Sequence, residues 1–383
     1  MILISGVSHA QKANYDESKV GQYTLPELLV TEEGSEVKTS KDWETKRRGE
    51  ILALFEEHVY GKLPTDFDRI ESIVKNEEAD AMNGAARLKE VEIMVFRKGQ
   101  SVSINLTLFI PNHKKGAVPA FLLINNRSVE NTSPSRDVKS GFWPAEKAIE
   151  AGYAVAAFHV SDAAPDNKNT YQDGMLRLYP ELLNADNGIK AIGAWAWAAS
   201  RVMDYFETDE NIDEKKIAIV GHSRGGKTSL WAAAQDSRFA LCISNNSGNT
   251  GAALSRRNFG ETVAIINTAF PHWFNNNYKK YNNKEDLLPI DQHMLIALMA
   301  PRPVYVTSAS EDLWADPKGT FLAIKNAEPV YELFGLESQI PEKSPGLNNP
   351  IYRSPLAYHI REGKHDLTEY DWEQFIKFAD YHF

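Results

Sequence analysis

The segment 216–228, KIAIVGHSRGGKT, concentrates the residues best able to do chemistry. An apolar run enters a glycine-rich turn, and a helical run follows it. Two motifs overlap there. Gly221-x-Ser223-x-Gly225 has the spacing of a nucleophile elbow, in which a serine hydroxyl is lifted on a sharp strand-to-helix turn. Gly221-x-x-x-x-Gly226-Lys227-Thr228 has the spacing of a phosphate-binding loop. Both need strand, turn and helix in that order, so the segment alone leaves both open.

The rest of the chain separates them. A phosphate-binding loop usually follows an early strand, and a second strand then ends in an aspartate that helps hold magnesium. Here about 220 residues precede the motif, and the next strand-like run ends Ser244-Asn245-Asn246, without a carboxylate. A serine hydrolase needs an acid and then a histidine, each just past a later strand. Strand-like Val304–Thr307 is followed by Glu311-Asp312, and Ala357–Arg361 by His365. Serine, aspartate, histidine is the chain order of α/β-hydrolases. In that reading Ser223 is the nucleophile, and His365 takes its proton and returns it to the leaving group. Asp312 fixes the imidazole tautomer and stabilises its cation. The backbone N–H of Arg224 supplies one oxyanion donor, and the loop near Asn126 and Arg127 a second.

Each role has rivals among ten histidines and several acids. His359 lies inside the last strand, where a satisfied core histidine is expected. His222 flanks the nucleophile and should point away from it. His272 and His293 could line a pocket but precede the acid in sequence. Asp316 precedes Pro317 and a helical run, the signature of an N-cap with proline at N1. Glu311 is nearer the strand than Asp312, which is nonetheless preferred. Asp366 reads as a loop residue. Lys227 is either a solvated helix lysine or a contact to an oxygen-rich ligand. Trp314 either fills core or stacks on a sugar face. The stripe Leu230-Trp231-Ala-Ala-Ala234 reads as packing. No Cys/His cluster has metal-ligand spacing and no dinucleotide fingerprint appears, so no cofactor and no metal are expected.

Such residues must be carried by a sheet. Residues 11–38 are polar and expected to drape over the surface. Ser40 is expected to cap a helix over Asp42–Tyr60, ended by Gly61 and Pro64. Arg69–Lys75, Ala86–Phe96 and Ser103–Ile110 read as an antiparallel start to the sheet, with Val91, Ile93 and Val95 on one face. From residue 119, apolar runs Phe121–Ile124, Ala154–His159, Lys216–Val220, Leu241–Ser244, Val304–Thr307 and Ala357–Arg361 alternate with helical segments. Those are Ala145–Ala151, Gly188–Phe206, Gly225–Gln235, Asp291–Leu298 and Thr368–Tyr381. This rhythm predicts an α/β fold, a mostly parallel sheet with antiparallel N-terminal strands in a three-layer sandwich. The site then lies at the carboxyl ends of the strands. The irregular stretches 126–144, 161–187 and 337–355 fall near that edge.

Composition narrows the function classes. The chain has 383 residues, enough to bury about three quarters of its unfolded surface without staples. Its single cysteine, Cys242, cannot form an internal disulfide. A net charge of −10 repels phosphate backbones, so nucleic acid is not an expected partner. No apolar run reaches the ~18 residues of a membrane span. Residues 1–10 read as the remnant of a trimmed export signal, with Ser8 and Ala10 in small-x-small order, or as a plain tail. The export reading implies a secreted or periplasmic protein. Residues 11–383 are expected to form one hydrolase domain, and a monomer is expected.

Several further pieces resemble carbohydrate esterase family 15, the glucuronoyl esterases, in its bacterial form. They are 221–227 (GHSRGGK), 247–248 (SG), 251–257 (GAALSRR), 260–261 (GE), 270–274 (FPHWF), 288–293 (LPIDQH), 300–303 (APRP) and 311–317 (EDLWADP). The resemblance spans most of the chain and implies an α/β-hydrolase fold. It also implies cleavage, without metal, of esters between 4-O-methyl-glucuronic acid of glucuronoxylan and lignin alcohols. It implies that the Arg224 side chain adds to the oxyanion hole and that Lys227, Glu261 and Trp314 hold the uronate sugar. Many members place the acid just before the Ser-Gly pair, where this chain has Asn246, so the acid falls to Asp312. The alternatives are an acetyl-xylan or broader carboxylesterase on the same fold, a phosphate-loop nucleotide-binding protein, and an inactive carbohydrate-binding protein.

Overall fold

The computed structural model describes residues 13–383. The expected export remnant therefore lies outside the described residues. Nine strands form one sheet in the order β1-β2-β3-β5-β4-β6-β7-β8-β9. They are β1 Arg69–Ala81, β2 Ala86–Arg97, β3 Gln100–Pro111, β4 Val118–Asn125, β5 Ala154–His159, β6 Ile212–His222, β7 Leu241–Asn245, β8 Val304–Ala309 and β9 Leu356–Arg361. The first three pair antiparallel, and β3 also meets β5 antiparallel. From β5 onward every pair is parallel. The expected mixed α/β sheet is therefore found.

Alternate residues of the central strands feed two cores. Leu122 and Ile124 enter one face with helices Ala191–Phe206, Arg224–Gln235 and Pro317–Leu333. Phe121 and Leu123 enter the other with Trp372, Phe375 and Phe378 of helix Glu369–His382 and with Ile149 of helix Ala145–Glu150. This is the three-layer arrangement, with both faces of the parallel strands covered. Val91, Ile93 and Val95 are buried as their alternation requires. Trp231 stacks on Tyr60 with centroids 4.6 Å apart, so the small-residue stripe around it is packing.

The helix over 40–60 starts earlier than expected. Its cap is Thr39, not Ser40: Thr39 Oγ1 accepts from the Asp42 N–H at 3.1 Å, and Asp42 Oδ2 accepts from the Thr39 N–H at 3.1 Å. This reciprocal box satisfies two otherwise orphaned donors. The helix ends at Gly61, whose φ of 78° is left-handed. β1 runs past Lys75 to Ala81 as an exposed edge strand, which carries no alternation to read. The N-terminal segment does more than drape. The Asn14 carbonyl accepts from the Gly260 N–H at 2.7 Å, and Glu17 pairs with Arg257 at 2.5 Å and Lys318 at 2.7 Å. Cys242 is buried in β7, where burial pushes its thiol up to about 12.

Candidate active site

β6 delivers Ser223 to the turn before helix Arg224–Gln235. Ser223 has φ 56° and ψ −125°, the strained backbone of an elbow. The turn closes so tightly that a Cβ on Gly221 would fall 1.9 Å from the Gly225 carbonyl oxygen. The Ser223 N–H donates to Asn245 O at 2.8 Å, tying the turn to the neighbouring β7.

The loops after β8 and β9 bring the other two residues. His365 Nδ1 lies 2.6 Å from Asp312 Oδ2, and Asp312 is buried. An ionised aspartate only accepts, so Nδ1 carries the proton and Nε2 is left as a base. The His365 loop is clasped by Arg361, whose Nη2 donates to Lys364 O at 2.8 Å and Asp366 O at 2.7 Å. Arg361 Nε in turn donates to Asp371 at 3.0 Å.

Ser223 and His365 line one cavity of about 250 Å³ with Arg224, Lys227, Glu261, Trp314 and the turn Asn246–Gly248. Asp312 stands behind His365, and the loop residues Asn126 and Arg127, expected to give a second oxyanion donor, do not line this space; the Arg127 N–H donates to Asn125 Oδ1 at 2.9 Å instead. Lys227 is buried and donates to Glu261 Oε2 at 2.7 Å, to Ser247 O at 2.8 Å and to Asn249 O. Burial pushes its ammonium below the usual lysine range, against the pull of Glu261. Its three N–H groups are engaged, leaving none for a phosphate. That removes the phosphate-loop reading. Trp314 is 38 % exposed and lines the cavity, so it does not fill core. The Glu261 N–H donates to Trp314 O at 2.9 Å, joining the two walls.

The rivals have other work. His359 is fully buried between Tyr305 and Asp371, the satisfied core histidine expected. Asp316 caps helix Pro317–Leu333 through the Gly319 N–H at 2.9 Å and pairs with Arg257 at 2.8 Å. His272 binds Asp166 and His293 faces Pro26 O, so neither is offered to the cavity. Asp366 pairs with Arg127 at 2.6 Å. His222 sits beside His365, with ring centroids 4.6 Å apart. Its Nδ1 meets Asn245 Oδ1 at 2.6 Å and its Nε2 meets Arg127 Nη2 at 3.1 Å. Since arginine only donates, Nε2 accepts and the ring is neutral. Burial first, then the neighbouring His365 and Arg127, hold His222 well below the ordinary histidine value.

Three residues were missed by sequence reasoning. Asp166 contacts Arg224 at 2.5 Å from the irregular stretch after β5. Phe270 and Trp273 stack at 3.8 Å and form a cavity wall. The FPHWF run was visible, but nothing in the spacing said which way it faced.

A family model described as "Glucuronyl esterase, fungi" matches residues 93–335. Carbohydrate esterase MZ0003, from an unknown prokaryotic organism, is 45 % identical over 96 % of this chain and 92 % of its own. The chain belongs to carbohydrate esterase family 15. Among solved structures, a glucuronoyl esterase from Solibacter usitatus is 40 % identical, with TM-score 0.90 over 96 % of this chain and 100 % of that one. A promiscuous CE15 esterase from a marine bacterial metagenome is 43 % identical, with TM-score 0.90 over 97 % of this chain and 100 % of that one. As a member of this glucuronoyl esterase family the chain is an α/β-hydrolase and a carboxylic-ester hydrolase of the 4-O-methyl-glucuronoyl methylesterase type. Among the described residues no cluster of three or more His, Cys, Asp or Glu side chains is arranged to hold a metal.

Proposed function

We propose that the enzyme cleaves esters of glucuronic acid or its 4-O-methyl ether, as found in glucuronoxylan, through Ser223, His365 and Asp312. One observation carries this reading: the cavity that holds Ser223 and His365 is also lined by Glu261, Lys227 and Trp314. A sugar needs hydrogen-bonding groups and an apolar platform together. Glu261 accepts from sugar hydroxyls, Lys227 holds Glu261 in place, and Trp314 offers its face to the ring.

In the reaction His365 Nε2 takes the Ser223 proton as Oγ attacks the uronate carbonyl. The Arg224 backbone N–H and guanidinium receive the developing oxyanion. The intermediate collapses, and the alcohol leaves with the proton from His365. Water, activated by the same imidazole, then releases the free acid. Asp312 stabilises the imidazolium at both stages.

The test is hydrolysis of benzyl glucuronate by the wild type and by Ser223→Ala. The variant should lose activity by up to about 10⁶-fold. Unchanged turnover would sink the mechanism. A second reading, a broader esterase, is favoured by Asn246 at the family's commoner acid position and by the similar enzyme described as promiscuous. Acetylated xylan assayed beside benzyl glucuronate separates the two.

A further inference from the structure

Asp166 belongs to no motif, yet three side chains meet on its carboxylate. Oδ2 lies 2.5 Å from Arg224 Nε, a charge contact rather than an aligned hydrogen bond. Oδ1 accepts from Trp273 Nε1 at 2.7 Å and from His272 Nε2 at 2.9 Å. Burial opposes its charge, but the His272 bond, the Arg224 guanidinium and the Trp273 bond together hold its carboxyl below the usual range. Arg224 is restrained a second time, since its Nη2 donates to Asn126 O at 2.7 Å. The guanidinium is thus gripped at one end by the loop after β5 and at the other by the loop after β4. Five N–H donors less these two contacts leave three for a ligand.

A donor that must swing into place during reaction loses part of its benefit to reorganisation, whereas a fixed one does not. A free arginine side chain also has many rotamers to give up when it is held in one. We propose that Asp166 is a positioning residue for ester cleavage, holding the Arg224 guanidinium ready for the oxyanion formed when Ser223 attacks. Through Trp273 and His272 the same carboxylate joins Arg224 to the aromatic cavity wall. This rests on the reading of Arg224 as an oxyanion donor, and not on the identity of the sugar.

The experiment is a double-mutant cycle of wild type, Asp166→Asn, Arg224→Gln and the double variant. It is assayed on benzyl glucuronate and on p-nitrophenyl acetate, with melting temperatures recorded. Asp166→Asn should lower kcat about 10- to 100-fold on both esters, with KM within about threefold. The double variant should be within about threefold of Arg224→Gln alone, because the two residues act as one unit. Structural damage unrelated to Arg224 would instead multiply the two losses, and that result overturns the proposal. So does an undiminished kcat in Asp166→Asn, or in Arg224→Gln. A wild type that cleaves only p-nitrophenyl acetate would refute the glucuronate reading and leave the Asp166 cycle readable on that ester. If Asp166→Asn melts below assay temperature, Asp166→Glu, which keeps the charge, takes its place in the cycle.

Discussion

Asp312 and His365 are joined by a 2.6 Å contact between Oδ2 and Nδ1, across the ends of the adjacent parallel strands β8 and β9. The proposed acid and base are therefore set by the register of two neighbouring strands. Arg361 closes the arrangement from behind by binding the carbonyls of the histidine's own loop.

Replacing Asp312 with Asn keeps the shape but removes the charge and favours the wrong imidazole tautomer. We expect kcat on benzyl glucuronate to fall by about 10⁴-fold with KM little changed. Steady-state kinetics at pH 7 read this directly. A loss below about tenfold would move the acid elsewhere.

Asn246 lines the same cavity as His365, and its Nδ2 is buried with no hydrogen-bond partner. Its Oδ1 faces Thr307 Oγ1 at 3.3 Å. A carboxylate there would stand at the family's commoner acid position. Asn246→Asp should change the wild-type rate by less than about threefold, yet recover at least about tenfold of kcat in the Asp312→Asn background. Comparing the single and double variants checks both statements. Absence of recovery would show that position 246 does not reach the base in this enzyme.

Gly260 has φ 63°, and a Cβ on it would lie 2.4 Å from Trp314 O and 2.5 Å from Leu313 O. Gly260→Ala must push the Trp314 loop away from Glu261. Since Trp314 and Glu261 are assigned to the sugar and not to the ester, KM for benzyl glucuronate should rise by about tenfold or more. The KM for p-nitrophenyl acetate should change far less. Parallel saturation curves on the two substrates provide the check.

His222 is neutral in the folded state, with its pKa well below the ordinary value. In the unfolded chain it titrates near 6.5. Below that pH the unfolded state binds the extra proton, so stability falls as pH falls. The slope from this one group approaches about 1.4 kcal/mol per pH unit. Urea denaturation between pH 7 and pH 5 should show a shallower pH dependence for His222→Gln than for the wild type. Equal slopes would mean that the ring becomes protonated without unfolding.

The residues proposed for the triad, and the elements that carry them, were legible because each sits at a junction where local signals change. An apolar strand gives way to glycines at Ser223, and strands end just before Asp312 and His365. Covered parallel strands read as apolar runs, which is why β4 to β9 were found. The exposed extension of β1 carried no such pattern. The Thr39 cap was written in the Thr39-x-x-Asp42 spacing, but Ser40 offered an equally good hydroxyl. Asp166 was invisible for a different reason. Its importance depends on a loop after β5 folding back over the elbow, and no periodicity records where an irregular loop goes. Helix Val263–Ala269 was also unread, since its short apolar run lies among loop residues without a period long enough to see.

Both cations in the cavity already have a carboxylate partner: Lys227 has Glu261, and Arg224 has Asp166. The substrate ester is neutral at the reacting carbon, whereas the acid released from it is an anion. It is formed among cations whose charge is already balanced, in a protein of net charge −10. Nothing in that balance rewards keeping the product. The pairing that orders the site for attack thus also favours emptying it, and free glucuronate is expected to be a weak product inhibitor.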